Sequence, residues 1–494
     1  MINKTKKEKL DKIYEKGINP YPNKFDIDSY SAVIKEKFKN LENGEHTKEK
    51  VSIAGRIMQN RIMGKAAFMH LLDTEGRIQL YFRQDDIGKE EYKKIKLFDI
   101  GDIIGVKGTA FKTKTGEVTI HVDSFEILTK SLAQLPEKWH GLKDQEIRYR
   151  KRYIDLISNP EVFELFKKRT DFVRNIRKFM EKKKFIEVET PVLEAVPGGA
   201  DARPFITHHN TLDIDFYLRI SLELHLKRLI VGGYERVFEI GKVFRNEGIS
   251  TQHLQEFTLL EFYYAYIDYN ELMDFTQELI QTVTKETFGT LKIKYQDKVI
   301  DFEGEWPRID YTEIIKKKTG IDLNKEYTKE KLINAIKEKK LRVDIDENFG
   351  RGRIIDQLYK QYVRPDLFQP CFLINHPIDI SPLAKKHKDN PKITQRFHLL
   401  VAGAEIVNAF SELNDPIDQR ERFEEQMKLR EAGDEEAQMI DEDFIEALEI
   451  GMPPTSGFGM GIDRFFSILT NQESVRDVVF FPMMKPESED KTNN

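Results

Sequence analysis

Residues 238–264, FEIGKVFRNEGISTQHLQEFTLLEFYY, carry the pattern that decides the fold. Two runs rich in Phe, Val, Leu and Tyr flank a polar segment, Asn246 to Gln255, which has one Gly and no Pro. That is the signature of an antiparallel hairpin with a long loop. Strand side chains alternate between faces, so Phe257, Leu259, Glu261 and Tyr263 share one face, as do Glu239 and Arg245 on the first strand. An Arg, carboxylates and aromatic rings on one floor suit an anion and a planar group. A surface hairpin with solvated charges has the same pattern.

Upstream, Glu161 to Lys184 places Val162, Leu165, Phe166, Phe172, Val173, Ile176, Phe179 and Met180 at helical spacing and leads into FIEVETPVL, a strand-like run with Pro191. Then come Gly198 and Gly199, the strand YLRI, and a helix over Ser221 to Gly232 with Glu223 in its first turn, where an acid favours the helix dipole. Downstream, Arg396 to Pro416 alternates as paired strands carrying Glu405, Asn408 and Glu412. In Gly451 to Leu469 a Gly-rich segment runs into an apolar helix with Asp463 and Arg464 at its mouth, an arrangement for holding phosphate. Asp434 to Glu449 has eight acids and no bases around Ile440, Phe444, Ile445 and Leu448, which reads as a surface helix docked on a core.

The first third has another texture. From Val51 to Leu128, five β runs separated by Gly-containing turns, with a helical insert near Lys89 to Leu97, predict a small closed barrel of the oligonucleotide-binding type. Arg61, Lys65, Phe68, Gln79 and Tyr81 on three consecutive runs combine stacking rings with groups that read base edges. Residues 1–16 carry six Lys against three acids on a predicted helix, which suits a phosphate backbone or a solvated face. Leu132 to Gln145 reads as a tether.

At 494 residues the chain exceeds one compact core. No apolar run reaches membrane-spanning length and the first residues lack a signal-peptide core, so a cytoplasmic protein is expected. A single cysteine, Cys371, excludes an intrachain disulfide and argues against a thiolate zinc site. There is no Walker loop, metalloprotease helix or kinase catalytic loop, and GFGMG lacks the spacing of a dinucleotide fingerprint.

Taken together, FIEVETPVL, FRNEG continuing to EFTLLEFY, and GFGMGIDRF resemble the three motifs of the class II aminoacyl-tRNA synthetases. GLKDQEIRYRKRYIDLI, VPGGADARPF, YLRISLELHLKRLIVGGYERVFEIGKVFRNEGIS, ISPLAK, NAFSELNDP and VRDVVFFP resemble the lysine-specific branch, and the likeness runs from about Val51 to Pro486. The resemblance implies an α+β protein: N-terminal helices and an OB-fold anticodon-binding barrel in residues 1–145, then a class II catalytic domain in 146–494 with an antiparallel six-stranded sheet flanked by helices. It implies lysine activation by ATP and transfer to the 3′ end of tRNA(Lys), with Mg²⁺, and a homodimer built partly on residues 161–193.

By the same resemblance Arg245 meets the α-phosphate and Arg464 the γ-phosphate as catalytic residues. Glu247, His253, Phe257 and Glu405 complete the ATP site, Phe257 beneath adenine. Gly199, Glu223, Arg245, Glu261, Tyr263, Asn408, Phe410 and Glu412 surround lysine, with Glu261 and Tyr263 on its side-chain ammonium and Glu223 on its α-amino group. Arg61, Phe68 and Gln79 contact the anticodon. Glu405 and Glu412 are the implied Mg²⁺ pair. His398, seven residues before Glu405, occupies a further metal position that is usually acidic, and a neutral imidazole is a poor Mg²⁺ ligand. Leu254-Gln255 and Ser221-Leu222 also depart from the common Asn-Pro and Ala-Pro. A sister enzyme for aspartate or asparagine would want cations where Glu261 and Tyr263 stand. A paralogue charging a protein lysine would lack the barrel, and an inactive RNA-binding relative would not need both Arg245 and Arg464.

Overall fold

The computed structural model describes residues 2–136 and 142–486, less positions 324, 326, 327, 347, 348, 432, 434 and 435. Two compact units divide the chain, Met1–Gly141 and Leu142–Asn494. Part of the predicted tether, 137–141, lies outside the described residues.

In the first unit, strands His46–Met63, Ala66–Leu72, Arg77–Arg83, Ile103–Lys112 and Val118–Thr129 close into a barrel in the order first, second, third, fifth, fourth. Alternation works as the sequence predicts: Ala67, Met69, Leu71, Ile78, Leu80 and Phe82 point inward and are fully buried, while Phe68, Gln79 and Tyr81 take the outer face. The insert forms a helix over Lys89–Lys94 and a 3₁₀ turn over Ile95–Leu97. The Lys-rich helix Lys4–Glu15 is not simply a basic face. Leu10 and Ile13 are buried, the Lys6 ammonium donates to the carbonyls of Ile100 and Ala133 at 2.8 Å each, and Lys9 pairs with Asp99 at 2.5 Å.

The second unit is organised on an eight-stranded sheet. Six antiparallel neighbours, Cys371–Ile374, Arg396–Val401, Ala404–Ser411, Thr455–Gly461, Glu256–Ala265 and Arg236–Phe244, lie between short parallel edges, Arg308–Asp310 and Ile186–Glu187. The opening hairpin forms as read, with Glu239 opposite Glu261 and Phe244 opposite Glu256. Its period-two pattern separates two cores. Phe238, Leu260 and Phe262 pack with Phe172, Ile176, Leu272 and Leu279 from helices Pro160–Lys182 and Tyr269–Phe288. Val243, Leu259 and Tyr263 pack on the other face with Leu226 and Ile230 of helix Glu223–Val231 and with Phe444 and Leu448 of helix Glu442–Gly451. Each large apolar side chain so buried contributes roughly 1.5–3 kcal/mol. Helix Tyr269–Phe288 starts at a capping box between Asp268 and Glu271 and stops at Gly289, whose φ of 74° lies in the left-handed region.

Two segments differ from expectation. The Gly-rich segment that runs into the helix at Asp463, to which the sequence assigns no element, is a central strand, Thr455–Gly461, between Ala404–Ser411 and Glu256–Ala265. FIEVETPVL is mostly irregular, contributing only Ile186–Glu187 to the large sheet and Leu193–Glu194 to a separate three-stranded one. The acidic segment forms its helix over Glu442–Gly451; positions 434 and 435 lie outside the described residues. Among the described residues no helix is long and apolar enough to cross a membrane.

Candidate active site

Strand pairing lays two rows of residues across the sheet. One runs Glu239, Glu261, Gly459, Asn408, His398; the next runs Val237, Tyr263, Gly457, Phe410, Arg396. Each row has a glycine at its centre, so the floor is a trench with Glu261 and Tyr263 on one side and Asn408 and Phe410 on the other. A Cβ on Gly457 would come within 2.0 Å of Glu412 Oε1 and 2.5 Å of Tyr263 Cε1. Gly199, at φ +82°, allows a similar approach from above, where a Cβ would meet the Cβ of Glu223 at 2.9 Å.

The trench is strongly anionic. Glu261 is 4% exposed, and its Oε1 accepts from Ser221 Oγ at 2.7 Å and the Leu222 amide at 3.1 Å. Burial, reinforced by the nearby Glu223 charge, pushes the Glu261 carboxyl up to about 7. Tyr263 Oη lies 3.4 Å from Glu261 Oε2, and burial pushes its phenol well above the usual range. Sequence reasoning missed the partner of the other two acids. Lys227, fully buried, places its ammonium 2.5 Å from Glu223 Oε1 and pairs with Glu412 as well, with the rings of Phe410 and Phe444 each 5.6 Å away. Burial alone would lower the Lys227 pKa, but the two carboxylates overturn this and raise it. The signal was legible: Glu223 and Lys227 are four apart on one helix.

Glu239 is occupied structurally. It takes Arg219 Nη1 at 2.8 Å and Thr190 Oγ1 at 2.7 Å, tying the hairpin to the motif-1-like segment. Arg245, one residue past its strand, donates to the Ile220 carbonyl at 3.3 Å and lies over the Phe257 ring at 5.1 Å. Glu247 and His253 sit in the exposed loop, His253 Nδ1 being 2.9 Å from Ser250 Oγ. The protein wall on one side of the ring partly desolvates it and lowers the His253 pKa, and Arg464, Lys360, Arg364 and Arg245 add to that in turn. Asp463 is held within the fold: its carboxylate accepts from Arg169 Nη2 at 2.5 Å and from the Thr258 amide at 2.8 Å.

Glu405 lies at the other end of the cleft. Arg464 Nη1 donates to its backbone carbonyl at 3.0 Å, Arg364 Nη1 is 3.9 Å from Oε1, and His398 Nδ1 is 3.8 Å from Oε2. Burial would raise its pKa, but His398 and then Arg364, Lys360 and Arg464 bring it below the usual value. The structure does not bring Glu405 and Glu412 together. They stand seven residues apart along one extended segment, about 20 Å, and Glu412 is engaged by Lys227. His398 is no metal ligand on its Glu405 side either. Arginine only donates, so Arg396 Nη2 at 3.0 Å makes His398 Nε2 the acceptor and leaves the proton of the neutral ring on Nδ1, facing Glu405. Burial lowers the His398 pKa to about 4, so it is neutral at pH 7. Among the described residues no group of three or more His, Cys, Asp or Glu converges on a metal position. Glu405 Oε1, buried and without a hydrogen-bond partner, is a hard oxygen donor of the kind that fits a hard cation.

In the first unit the outer barrel face carries linked rings: Phe68 and Tyr81 at 4.9 Å between centroids, Tyr81 and His121 at 5.3 Å, and His46 stacked on Phe111 at 4.6 Å. Arg61, exposed, is paired opposite Phe68, and Gln79 is held by Glu117 at 2.9 Å and Thr119 at 3.0 Å.

Residues 51–128 match the family described as OB-fold nucleic acid binding domain, and residues 144–485 match tRNA synthetases class II (D, K and N). Relatives named lysine–tRNA ligase match at full length. That of Pelotomaculum thermopropionicum is 51% identical over 483 residues, 98% of this chain and 94% of the relative. Those of Thermosipho africanus and Thermotoga maritima are each 51% identical over 491 residues, 98% of this chain and 97% of theirs. With the six-stranded antiparallel sheet, the anionic trench and the two arginines of its cleft accounted for, the chain belongs to the class II tRNA synthetase family (D, K and N).

Proposed function

We propose that this chain is a lysine–tRNA ligase: it joins L-lysine to ATP as lysyl-adenylate, releases pyrophosphate, and passes the lysyl group to the 3′ end of tRNA(Lys). The observation that carries the amino-acid assignment is the charge of the trench. Glu223, Glu261 and Glu412 are buried there against one internal ammonium, Lys227. A ligand with two ammonium groups balances that count. A substrate with an acidic side chain meets carboxylates instead.

In this reading Glu261 and Tyr263 hold the side-chain ammonium and Glu223 the α-amino group, with Gly199, Asn408, Phe410 and Glu412 shaping the pocket. The lysine carboxylate points to Arg245. Its oxygen attacks the α-phosphorus, the new O–P bond forms as the bond to the pyrophosphate oxygen breaks, and pyrophosphate leaves. Arg245 neutralises the α-phosphate and Arg464 the γ-phosphate, so the chain's work is alignment and charge stabilisation without a general base. Phe257 supports adenine, and Glu247 and His253 close the loop over the nucleotide. Mg²⁺ brought in with ATP and held by Glu405 would neutralise phosphate charge. In the second half-reaction a ribose hydroxyl of the tRNA attacks the mixed-anhydride carbonyl, and AMP leaves.

Arg61, Phe68 and Gln79 are assigned to the anticodon, whose unstacked bases lie on the ring platform. The protein is proposed to work in the cytoplasm as a homodimer through residues 161–193. Pyrophosphate exchange into ATP over a panel of amino acids tests the reading. Exchange with lysine alone, lost in Arg245→Ala and Glu261→Gln, is expected, and exchange with aspartate instead would overturn it.

A further inference from the structure

The phosphate end of the cleft holds more positive charge than the two arginines assigned above. Lys360 stands in the last turn of the helix Arg351–Tyr362, and Arg364 opens the 3₁₀ turn Arg364–Asp366 that follows. Together with Arg464 and Arg245 they are the cations that act on His253 in the nucleotide loop, and Arg364, Lys360 and Arg464 also act on Glu405 on the opposite strand. Geometry places two of them on one residue from separate elements: Arg464 Nη1 is 3.0 Å from the Glu405 carbonyl and Arg364 Nη1 is 3.9 Å from its Oε1. The separation of Arg364 Nη1 from Glu405 Oε1, 3.9 Å, is beyond hydrogen-bond length, so this carboxylate orients the guanidinium without saturating its donors. Lys360 is paired with Asp356 at 2.6 Å on its own helix, and both side chains are partly exposed.

On the same side, His398 offers Glu405 an N–H where a second carboxylate would be needed to hold another cation. We propose that Arg364, backed by Lys360, is a further polyphosphate-binding residue of the ATP site, opposite Arg464 across Glu405, and that its fixed charge replaces part of the divalent charge this corner would otherwise require. The guanidinium is suited to the task because its planar donors match two phosphate oxygens at once and it stays charged at every working pH. The inference rests on the reading of this cleft as the ATP site.

Its test is direct binding of ATP, and separately of inorganic pyrophosphate, to the full-length protein without lysine, by calorimetry at low and at saturating free Mg²⁺. Arg364→Gln is expected to weaken both ligands about tenfold at low Mg²⁺, and less at saturating Mg²⁺, with lysine binding unchanged. Arg364→Lys should recover part of the loss. His398→Glu, which places a second carboxylate beside Glu405, should make ATP binding depend more steeply on Mg²⁺. Wild-type affinities in Arg364→Gln at low Mg²⁺ would overturn the inference while leaving the proposed function standing; no ATP binding by the wild type would overturn both. Should Arg364→Gln lower the melting temperature, Lys360→Gln decides alone: a selective loss of ATP and pyrophosphate binding upholds the proposal, and none defeats it.

Discussion

Lys227 Nζ lies 2.5 Å from Glu223 Oε1, one helical turn back, and also closes on Glu412, so the proposed amino-acid pocket contains a lysine of its own. This internal ammonium holds two of the three acids in place before any substrate arrives. It also leaves Glu261 as the carboxylate whose charge is least compensated.

Replacing Lys227 by Met should therefore do more than leave a hole. Removing one partner of a buried ion pair costs about 3–5 kcal/mol, since the remaining charges lose their compensation. The variant is expected to lose several kcal/mol of stability in denaturant unfolding and to raise the KM for lysine more than that for ATP. Unchanged unfolding would mean that Glu223 and Glu412 are neutral without it.

The Glu261 carboxyl gives a pH signature. Its pKa rises from an ordinary 4.5 to about 7 in the folded protein, so the native state holds this proton more tightly than the unfolded chain does. The contribution to stability is full below pH 4.5, declines as pH rises from there to about 7, and is absent above. Lysine binding should show the opposite trend, because its ammonium needs the ionised acid: the KM for lysine falls as pH rises through about 7, and binding below that pH releases a proton. Residual lysine binding by Glu261→Gln, followed by calorimetry, should be weak and without this pH dependence. The same charge requirement predicts that norleucine competes more than a hundredfold less well than lysine, which a competition assay in pyrophosphate exchange reads out.

Gly457 is the steric opening of the pocket. In Gly457→Ala the added methyl would stand 2.0 Å from Glu412 Oε1 and 2.5 Å from the Tyr263 ring. We expect lysine-dependent exchange to fall by two orders of magnitude or more, in line with overpacking costs of about 1–3 kcal/mol and displaced carboxylates, while ATP binding stays near wild type. Equal losses for both ligands would place the fault in the sheet as a whole.

On the barrel, Phe68→Ala should separate the two half-reactions. Stacking of a base on an aromatic ring is worth about 1–3 kcal/mol, so tRNA charging should fall roughly five- to a hundredfold through KM for tRNA. Pyrophosphate exchange, which needs no anticodon, should be unaffected.

Much of this was legible in the chain. Strong alternation placed the hairpin, its faces and the barrel strands, and the acids of the trench stand on those elements. What alternation could not show was the strand Thr455–Gly461, because glycines carry no side-chain pattern. For Lys227 only the pairing with Glu223, four residues back, could be read from the chain; its burial could not, because a lysine on a helix is ordinarily solvated and it is the convergence of Glu412 from a distant strand end that encloses it. Pairing Glu405 with Glu412 failed on simple length, since a seven-residue separation in an extended strand spans the cleft. The state of His398 was out of reach because it is fixed by Arg396, whose guanidinium lies next to it only once the strand has formed.

The position of Thr455–Gly461 also governs when the pocket can come into being. Its neighbours on either side, Glu256–Ala265 and Ala404–Ser411, are both synthesised before it, yet they meet only through it. A nascent chain that has delivered residue 411 has two half-sheets with unpaired inner edges, the kind of surface that invites wrong partners. The last central strand acts as a keystone, so a chain cut short before residue 461 is expected to bind no lysine and to depend on chaperones for solubility.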